Sequence, residues 1–222
     1  MAELIIFDVD STLLGVESLD FAVERALRTA PDGAQRSRAL SALTDQGMAG
    51  EIDFRTSLER RIAIAGLTRT SVYDAREALR GHLTPGMADL LSALRAKGRR
   101  VAAVSGGFDD LIAPALGDLG FASGDVSANS FVFDAAGAVI DFDRANPLSR
   151  SGGKAERVAA LKSQAQARRA VMVGDGMTDF EACSGGAADH FIGFGGVVSR
   201  AAVKAKAQAW ADSVAELDAL LS

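Results

Sequence analysis

The sequence predicts an α/β fold, a doubly wound and mainly parallel sheet with a small α-helical cap inserted into it. Short apolar runs at 4–7, 101–104 and 170–173 each end in polar or glycine residues and are followed by a helical pattern. About 70 residues of purely helical pattern separate the first run from the second, far more than one crossover between parallel strands needs. We therefore expect a core domain formed by residues 1–14 and 85–222 and a cap domain formed by residues 15–84.

Composition excludes several classes of partner. The 222 residues are 48% hydrophobic, enough for a substantial core, and the net charge of −5 comes with no basic block, so we expect no nucleic-acid partner. No apolar run approaches the roughly 18 residues of a membrane helix, and the N-terminus has no basic leader. The single cysteine, Cys183, cannot form an internal disulfide. These features predict a cytoplasmic protein without a membrane partner.

Two acids follow the first strand directly. Leu4 to Phe7 is a short apolar run, and Asp8 and Asp10 come next, followed by hydroxyl residues suited to a turn. In an extended chain the two acids share a face, at the strand end where open α/β sheets bind their ligands. One carboxylate can attack a substrate while the other moves a proton. The alternative interpretation is a strand that ends in a turn with two acids.

The insert is predicted as four helices. Apolar spacing indicates helices over 17–30, around 40–48, over 53–65 and over 71–80, the last behind a cap formed by Thr68 and Ser71. Thr84-Pro85-Gly86 ends the insert, and a helix over 87–97 leads into the second strand.

The second strand ends in a motif suited to an anion. Ser105-Gly106-Gly107 lies between the strand, which we expect to stop at Val104, and a helix that begins near Phe108. Small residues let backbone amides approach a phosphate, and a helix N-terminus adds its dipole. A common turn is the alternative. Further on, 131–133 and 139–142 predict a β-hairpin of structural role.

The last third of the chain repeats the strand, motif and helix pattern. Lys154 opens a helix after two glycines, where it can turn inward or remain a surface charge. Asp175 and Asp179 follow the strand at 170–173 within G-D-G-M-T-D, although a capped glycine turn would look similar. A fourth strand is predicted at 190–193, then a helix containing Arg200 and a closing helix over 213–221. Together these strand ends suit phosphoryl transfer: acids for Mg²⁺, and amides, hydroxyl and lysine for the phosphate.

These motifs in combination resemble the haloacid dehalogenase superfamily of phosphatases. The resemblance rests on D-V-D-S-T at 8–12, V-S-G-G-F at 104–108, Lys154 and G-D-G-x-x-D at 174–179, and it covers essentially the whole chain. The pattern from Met48 to Arg61 resembles the cap of the phosphoserine phosphatase branch of that superfamily, and the tail from Phe191 to Arg200 resembles the eukaryotic members of that branch. Thr178 stands where many bacterial members have Asn. The resemblance implies a Rossmann-like core and an inserted cap.

The resemblance also implies roles for the core motifs. Asp8 would be the nucleophile that becomes an aspartyl phosphate, and Asp10 would first protonate the leaving oxygen and then deprotonate water. The implied ligands of Mg²⁺ are the Asp8 side chain, the Asp10 backbone carbonyl and Asp175, with Asp179 in support. Three residues would hold the transferring phosphoryl group: Ser105, Gly106 and Lys154.

For the substrate's amino acid end, the resemblance implies Glu17 as partner of an amine and Arg61 as partner of a carboxylate. Met48 and Phe54 would form apolar walls, and Thr178 and Arg200 would lie near the substrate as a second layer. The expected ligand is a small phosphomonoester, O-phospho-L-serine first of all, acted on by a monomer or homodimer.

Three functions fit these residues. The first is hydrolysis of phosphoserine, the last step of serine biosynthesis. The second keeps the chemistry but uses another small phosphomonoester, such as phosphohomoserine, or transfers the phosphoryl group to another acceptor. The third is a non-enzymatic receiver phosphorylated on aspartate, which would need neither a second acid to activate water nor a helical cap.

Overall fold

A parallel sheet with helices on both faces forms the centre of the molecule. The computed structural model describes residues 3–28, 30–49 and 51–222, without the side chains at 44, 45 and 47–49. The strands within this range are β1 (Glu3–Phe7), β2 (Arg100–Phe108), β3 (Val126–Asn129), β4 (Phe131–Phe133), β5 (Val139–Phe142), β6 (Arg169–Gly174), β7 (His190–Phe194) and β8 (Ala209–Ala211). The helices are α1 (Ser18–Leu27), α2 (Gly33–Ala49), α3 (Phe54–Ala65), α4 (Arg69–Leu79), α5 (Met87–Ala96), α6 (Asp109–Asp118), α7 (Gly153–Gln164), α8 (Met177–Ser184), α9 (Ala201–Lys204) and α10 (Val214–Leu221).

The order of the main sheet is β3-β2-β1-β6-β7-β8, and every neighbouring pair is parallel. The expected doubly wound α/β fold is thereby confirmed. The chain builds outward from β1 in one direction and from β6 in the other, so a crevice opens beyond the carboxyl ends of these two central strands. The acids that follow β1 and β6 consequently meet at one place.

Three details of the sequence interpretation were wrong. The edge strands β3 and β8 were not expected, because each is only three or four residues long and carries no continuous apolar run. Strand β2 does not stop at Val104 but continues to Phe108, with a shift of register between these two residues. Arg200 does not lie inside a helix; it is the residue that precedes α9.

Alternate residues of the central strand fill two apolar cores. Ile5 and Phe7 belong to the core under α5, α6 and α10, and Leu4 and Ile6 to the core under α7 and α8. Burial of each such side chain stabilises the fold by about 1.5–3 kcal/mol. A strand that is apolar on both faces is thus expected at the middle of a parallel sheet. This packing fixes the end of β1, and therefore the position of the acids.

Helices α1–α4 form the insert, which the chain enters and leaves side by side. Leu14 and Leu83 form an antiparallel bridge, and the Thr84 backbone amide donates to the Leu13 carbonyl at 2.9 Å. The expected Thr68 and Ser71 capping box is present at the start of α4. Helix α4 packs on α6. The buried apolar residues of the insert belong to the same core as Ile5 and Phe7.

The predicted hairpin, β4 with β5, is antiparallel and lies beside the insert. The Val139 amide donates to the Leu67 carbonyl at 2.9 Å, and the Arg69 amide donates to the Gly137 carbonyl at 2.7 Å. The hairpin therefore gives the insert a second attachment to the core. Among the described residues, no helix combines the length and the apolar character that a membrane crossing requires.

Candidate active site

Asp8 and Lys154 form the floor of the site. Asp8 directly follows β1, where its backbone amide still donates to the Val173 carbonyl of β6 at 2.8 Å. Lys154, the second residue of α7, points inward rather than to solvent, and its Nζ donates to Asp8 Oδ1 at 2.8 Å and to Asp179 Oδ1 at 2.7 Å. Burial alone would lower the pKa of Lys154, but the carboxylates of Asp179 and Asp8 outweigh it and raise that pKa. The lysine is therefore a permanent cation between two acids.

Asp8, Asp175 and Asp179 form a buried cluster, with one carboxylate oxygen of each within 4.8 Å of the others. Burial first, and then the Asp8 charge, raises the pKa of Asp175 to about 6, against the opposing effect of Arg200. The same two causes raise the pKa of Asp179 to about 7, against the opposing effect of Lys154. Hard oxygen donors in excess of the nearby positive charge suit a small divalent cation. The residues present therefore fit a metal ion.

The Asp10 carboxylate is hydrogen-bonded to the insert. It accepts bonds from the Ser18 backbone amide (3.0 Å) and the Ser18 hydroxyl (3.1 Å), at the first residue of α1. Burial, followed by the charges of Glu17 and Asp8, raises the pKa of Asp10 well above its ordinary value, although the Ser18 bonds oppose this. This environment favours the protonated form of Asp10 more than water does, which suits a group that donates and accepts a proton.

The Ser105-Gly106-Gly107 segment, called the phosphate loop below, lies at the end of β2. The Ser105 hydroxyl is buried and accepts a bond from the Gly107 amide at 2.8 Å. The ring of Phe54, from the start of α3, lies directly over the loop: a methyl group at Gly106 would be 2.9 Å from its Cζ atom. Only glycine fits beneath Phe54 in this arrangement. The insert thus closes against the loop.

Glu17, just before α1, is held by two groups. The Ser11 hydroxyl donates to its Oε1 at 2.8 Å, and Arg200 Nη2 lies 3.6 Å from the same oxygen. Arg200 Nε also donates to Asp175 Oδ2 at 2.8 Å. Burial raises the pKa of Glu17, opposed by the Ser11 hydrogen bond. Arg200 therefore bridges Glu17, at the start of the insert, and Asp175 of the core.

Arg61, in α3, pairs with Asp20 of α1 in a largely buried ion pair. Its guanidinium is therefore held inside the insert and faces the same cavity as Phe54. Met48 lies in α2, but its side chain is outside the described part of the structure.

The site residues surround one cavity of about 790 Å³ between the strand ends and the insert. The sequence-predicted residues that line it are Asp8, Asp10, Glu17, Phe54, Arg61, Ser105, Gly106, Lys154, Asp175, Thr178 and Arg200. Asp179 is fully buried beneath this lining and accepts a bond from the Gly176 amide at 3.0 Å. A charged floor and a cap side with both an acid and a guanidinium suit a small phosphorylated zwitterion.

The sequence interpretation missed Ser11, Ser18 and Asn129 as residues of the site. Asn129 is fully buried, and its Nδ2 donates to the Gly106 carbonyl (2.9 Å) and to the Leu148 carbonyl (3.1 Å). A polar residue at the end of a parallel strand is the signal that could have indicated it, had β3 been expected. Ser11 has a positive φ of 54° and sits within the first motif, so its position in a tight turn was the available signal.

Comparison with known proteins gives consistent similarities. Residues 5–184 match the family model of haloacid dehalogenase-like hydrolases. The chain is 36% identical to a phosphoserine phosphatase of Bos taurus over 216 residues. This alignment covers 97% of this chain and 92% of the relative. Among solved structures, a phosphoserine phosphohydrolase-like protein from Francisella tularensis has a TM-score of 0.87 at 30% identity, with full coverage of both chains. A phospho-aspartyl intermediate analogue of phosphoserine phosphatase has a TM-score of 0.81 at 25% identity, with 97% of each chain covered.

Proposed function

This chain belongs to the haloacid dehalogenase-like hydrolase family, and we propose that it hydrolyses O-phospho-L-serine to L-serine and phosphate. The observation that carries the proposal is the composition of the cavity that the site residues line. Its floor holds a nucleophile, a lysine and a glycine loop for a phosphoryl group, and its cap side holds Glu17 and Arg61 for an amine and a carboxylate. The relatives named phosphoserine phosphatase support the same substrate.

In the proposed reaction, Asp8 attacks phosphorus, the phosphorus–oxygen bond to serine breaks, and Asp10 gives its proton to the leaving oxygen. Asp10 is then a carboxylate that removes a proton from water as the water attacks the aspartyl phosphate, which frees Asp8 and phosphate. The raised pKa of Asp10 suits both steps, because the group must be protonated before the first and regain a proton in the second.

Three groups would hold the phosphoryl oxygens. Lys154 already contacts Asp8 and would neutralise charge as the phosphoryl group arrives. The Ser105 hydroxyl and the small Gly106 loop would donate hydrogen bonds to the same group. We propose Mg²⁺ as the cofactor, held by the carboxylates of Asp8 and Asp175 and the Asp10 carbonyl, with Asp179 in support. When bound, it would neutralise phosphoryl charge and orient the group for attack.

The amino acid end of the substrate would meet the cap side of the cavity. Arg61 would bind the carboxylate in competition with Asp20, and Glu17 would bind the amine. Phe54, together with Met48, would exclude water, while Thr178 and Arg200 would support the substrate from the core side.

We also propose the domain division into a core of residues 1–14 and 85–222 and a cap of residues 15–84. The paired crossing at Leu14 and Leu83 supports it, because the two connections lie together and can act as one hinge. A cytoplasmic location and a monomeric or homodimeric state stay predictions.

The test is phosphate release with Mg²⁺ from L-phosphoserine, phosphothreonine, phosphohomoserine, sugar phosphates and a nitrophenyl ester. We expect a strong preference for L-phosphoserine that Asp8→Asn abolishes. Arg61→Ala should raise KM for phosphoserine about tenfold or more and leave the nitrophenyl ester nearly unchanged, because of these two substrates only phosphoserine has a carboxylate. The exposed neighbour Arg60→Ala is the matched control and should change neither substrate.

Equal losses on both esters would contradict the role of Arg61. Similar slow turnover of the whole panel would contradict phosphoserine as the substrate and leave the phosphatase chemistry intact. Added homoserine should yield no phosphohomoserine; its formation would show transfer to another acceptor instead of hydrolysis.

A further inference from the structure

Arg55, in the first turn of α3, reaches out of the insert to the chain segment 144–149 of the core. Its guanidinium donates to the Ser149 hydroxyl (2.9 Å), to the Arg144 carbonyl (3.1 Å) and to the Ser149 carbonyl (3.4 Å). The planar guanidinium can donate to all three of these acceptors at once, which the ammonium of a lysine could not do as well. Arg55 therefore attaches the insert to the core at a place of fixed geometry.

The segment that Arg55 contacts packs directly on the start of α7. Pro147–Ser149 forms a single helical turn, and Ser149 is fully buried. A methyl group at Gly153 would lie only 1.7 Å from the Pro147 carbonyl oxygen, so this turn and the first residue of α7 are in tight contact. Lys154 is the next residue. A displaced turn would thus displace the lysine that contacts the nucleophile.

The same turn is also tied to the phosphate loop. The buried Asn129 side chain donates to the Leu148 carbonyl at 3.1 Å and to the Gly106 carbonyl at 2.9 Å. One amide group therefore sets the spacing between the turn and the loop. Arg55 holds this turn from the side of the insert, and Asn129 holds it from the side of the sheet.

We infer that Arg55 is a positioning residue, which seats the insert on segment 144–149 and thereby fixes Lys154 and the Gly106 loop around the phosphoryl group. The inference rests on the proposed function only in that the substrate is a phosphomonoester. Its role differs from that of Arg61, which in the proposed function binds the carboxylate of the leaving group. Arg55 acts on the groups that meet the phosphoryl group itself, whatever that group is attached to.

The experiment compares L-phosphoserine and nitrophenyl phosphate as substrates of the full chain with Mg²⁺. Arg55→Ala should lower kcat for both esters by a similar factor, about ten- to hundredfold, with KM changed much less, because misplaced groups weaken the transition state on any ester. Arg55→Lys should give an intermediate kcat. Glu59→Gln is the matched control: Glu59 bonds the exposed Arg144 side chain across the same junction at 2.6 Å, and its loss should change kcat less than twofold.

Hydrogen exchange supplies a readout that needs no substrate. Amides of residues 144–154 should exchange about tenfold faster in Arg55→Ala than in the wild-type protein or Glu59→Gln, because local opening becomes easier. Loss of phosphoserine turnover alone would overturn the inference and make Arg55 a substrate-recognition residue. Unchanged kcat, or unchanged exchange in this segment, would overturn it as well.

Arg55→Gln gives the same comparison if Arg55→Ala unfolds below the assay temperature. Failure of the proposed function has a different signature. If the wild-type protein hydrolyses nitrophenyl phosphate and not phosphoserine, the substrate assignment fails, while the effect of Arg55→Ala on the nitrophenyl ester still decides the inference.

Discussion

Replacement of Lys154 by methionine tests the electrostatics of the site floor. The lysine side chain is 9% exposed and donates to Asp8 at 2.8 Å and to Asp179 at 2.7 Å. Methionine keeps a similar volume but leaves these two carboxylates without their cation. Removal of one partner from a buried ion pair costs about 3–5 kcal/mol, which corresponds to a decrease in Tm of roughly 6–20 °C for a chain of this length.

The loss of stability should depend on pH. The pKa of Asp179 in the folded protein is about 7, above the value of about 4 in an unfolded chain, and removal of the lysine raises it further. A carboxyl whose pKa is raised on folding binds a proton in the folded state, so its penalty is present at high pH and disappears as pH falls towards 4. Lys154→Met should therefore be most destabilised near pH 8 and least near pH 5.

Urea unfolding in EDTA, at pH 5 and pH 8, measures both effects. Lys162→Met, on the same helix, is the control, since its ion pair with Asp189 is part-exposed and should be worth at most about 1 kcal/mol. The double variant Lys154→Met/Asp179→Asn should regain stability at pH 8, because the amide cannot carry a charge. An equal loss at both pH values, or no gain in the double variant, would refute this account of the site floor.

Two further predictions concern the phosphate loop and the metal. Gly106→Ala places a methyl group 2.9 Å from Phe54 Cζ and should lower kcat/KM for phosphoserine about tenfold, since the insert can no longer close on the loop. Phe54→Leu in the same chain should restore part of the loss, whereas a double variant with simply additive losses would contradict the steric explanation. Mg²⁺ affinity should rise between about pH 5 and 8, because Asp175 and Asp179, with pKa values of about 6 and 7, release protons when a cation binds. Calorimetry in two buffers of different ionisation enthalpy measures the protons released, and an affinity independent of pH would show that these carboxyls are not involved.

The central strands and their acids could be predicted because a buried parallel strand consists of a continuous run of apolar residues. Leu4 to Phe7 is such a run, and the Asp8 that follows it must lie at the carboxyl end of a central strand, where ligands bind. The edge strand β3 has no such signal, because it pairs on one side only and needs less apolar surface. For that reason Asn129, at its end, was missed.

Long-range pairs were hidden for a different reason. Arg55 and Ser149 are 94 residues apart in sequence, and Asp8 and Lys154 are 146 residues apart. Local spacing predicts that an arginine lies on a helix but carries no information about which distant carbonyl it meets. The family resemblance predicted Lys154 near Asp8, since a whole motif was available, and the two side chains are hydrogen-bonded at 2.8 Å. Arg55 lies outside any such motif, so its partners could be identified only from the structure.

The excess of negative charge connects the stability of the site with its proposed chemistry. Within the described residues, Lys154 and Arg200 form ion pairs with four carboxyl groups, those of Asp8, Asp179, Glu17 and Asp175. Burial and the charge of Asp8 raise the pKa of Asp175 and of Asp179, so these two carboxylates destabilise the folded protein at neutral pH. A divalent cation bound to these carboxylates would offset their repulsion and thereby stabilise the folded protein. Buried acids at these positions lower the stability of the fold, which is the expected consequence of a site that binds a cation.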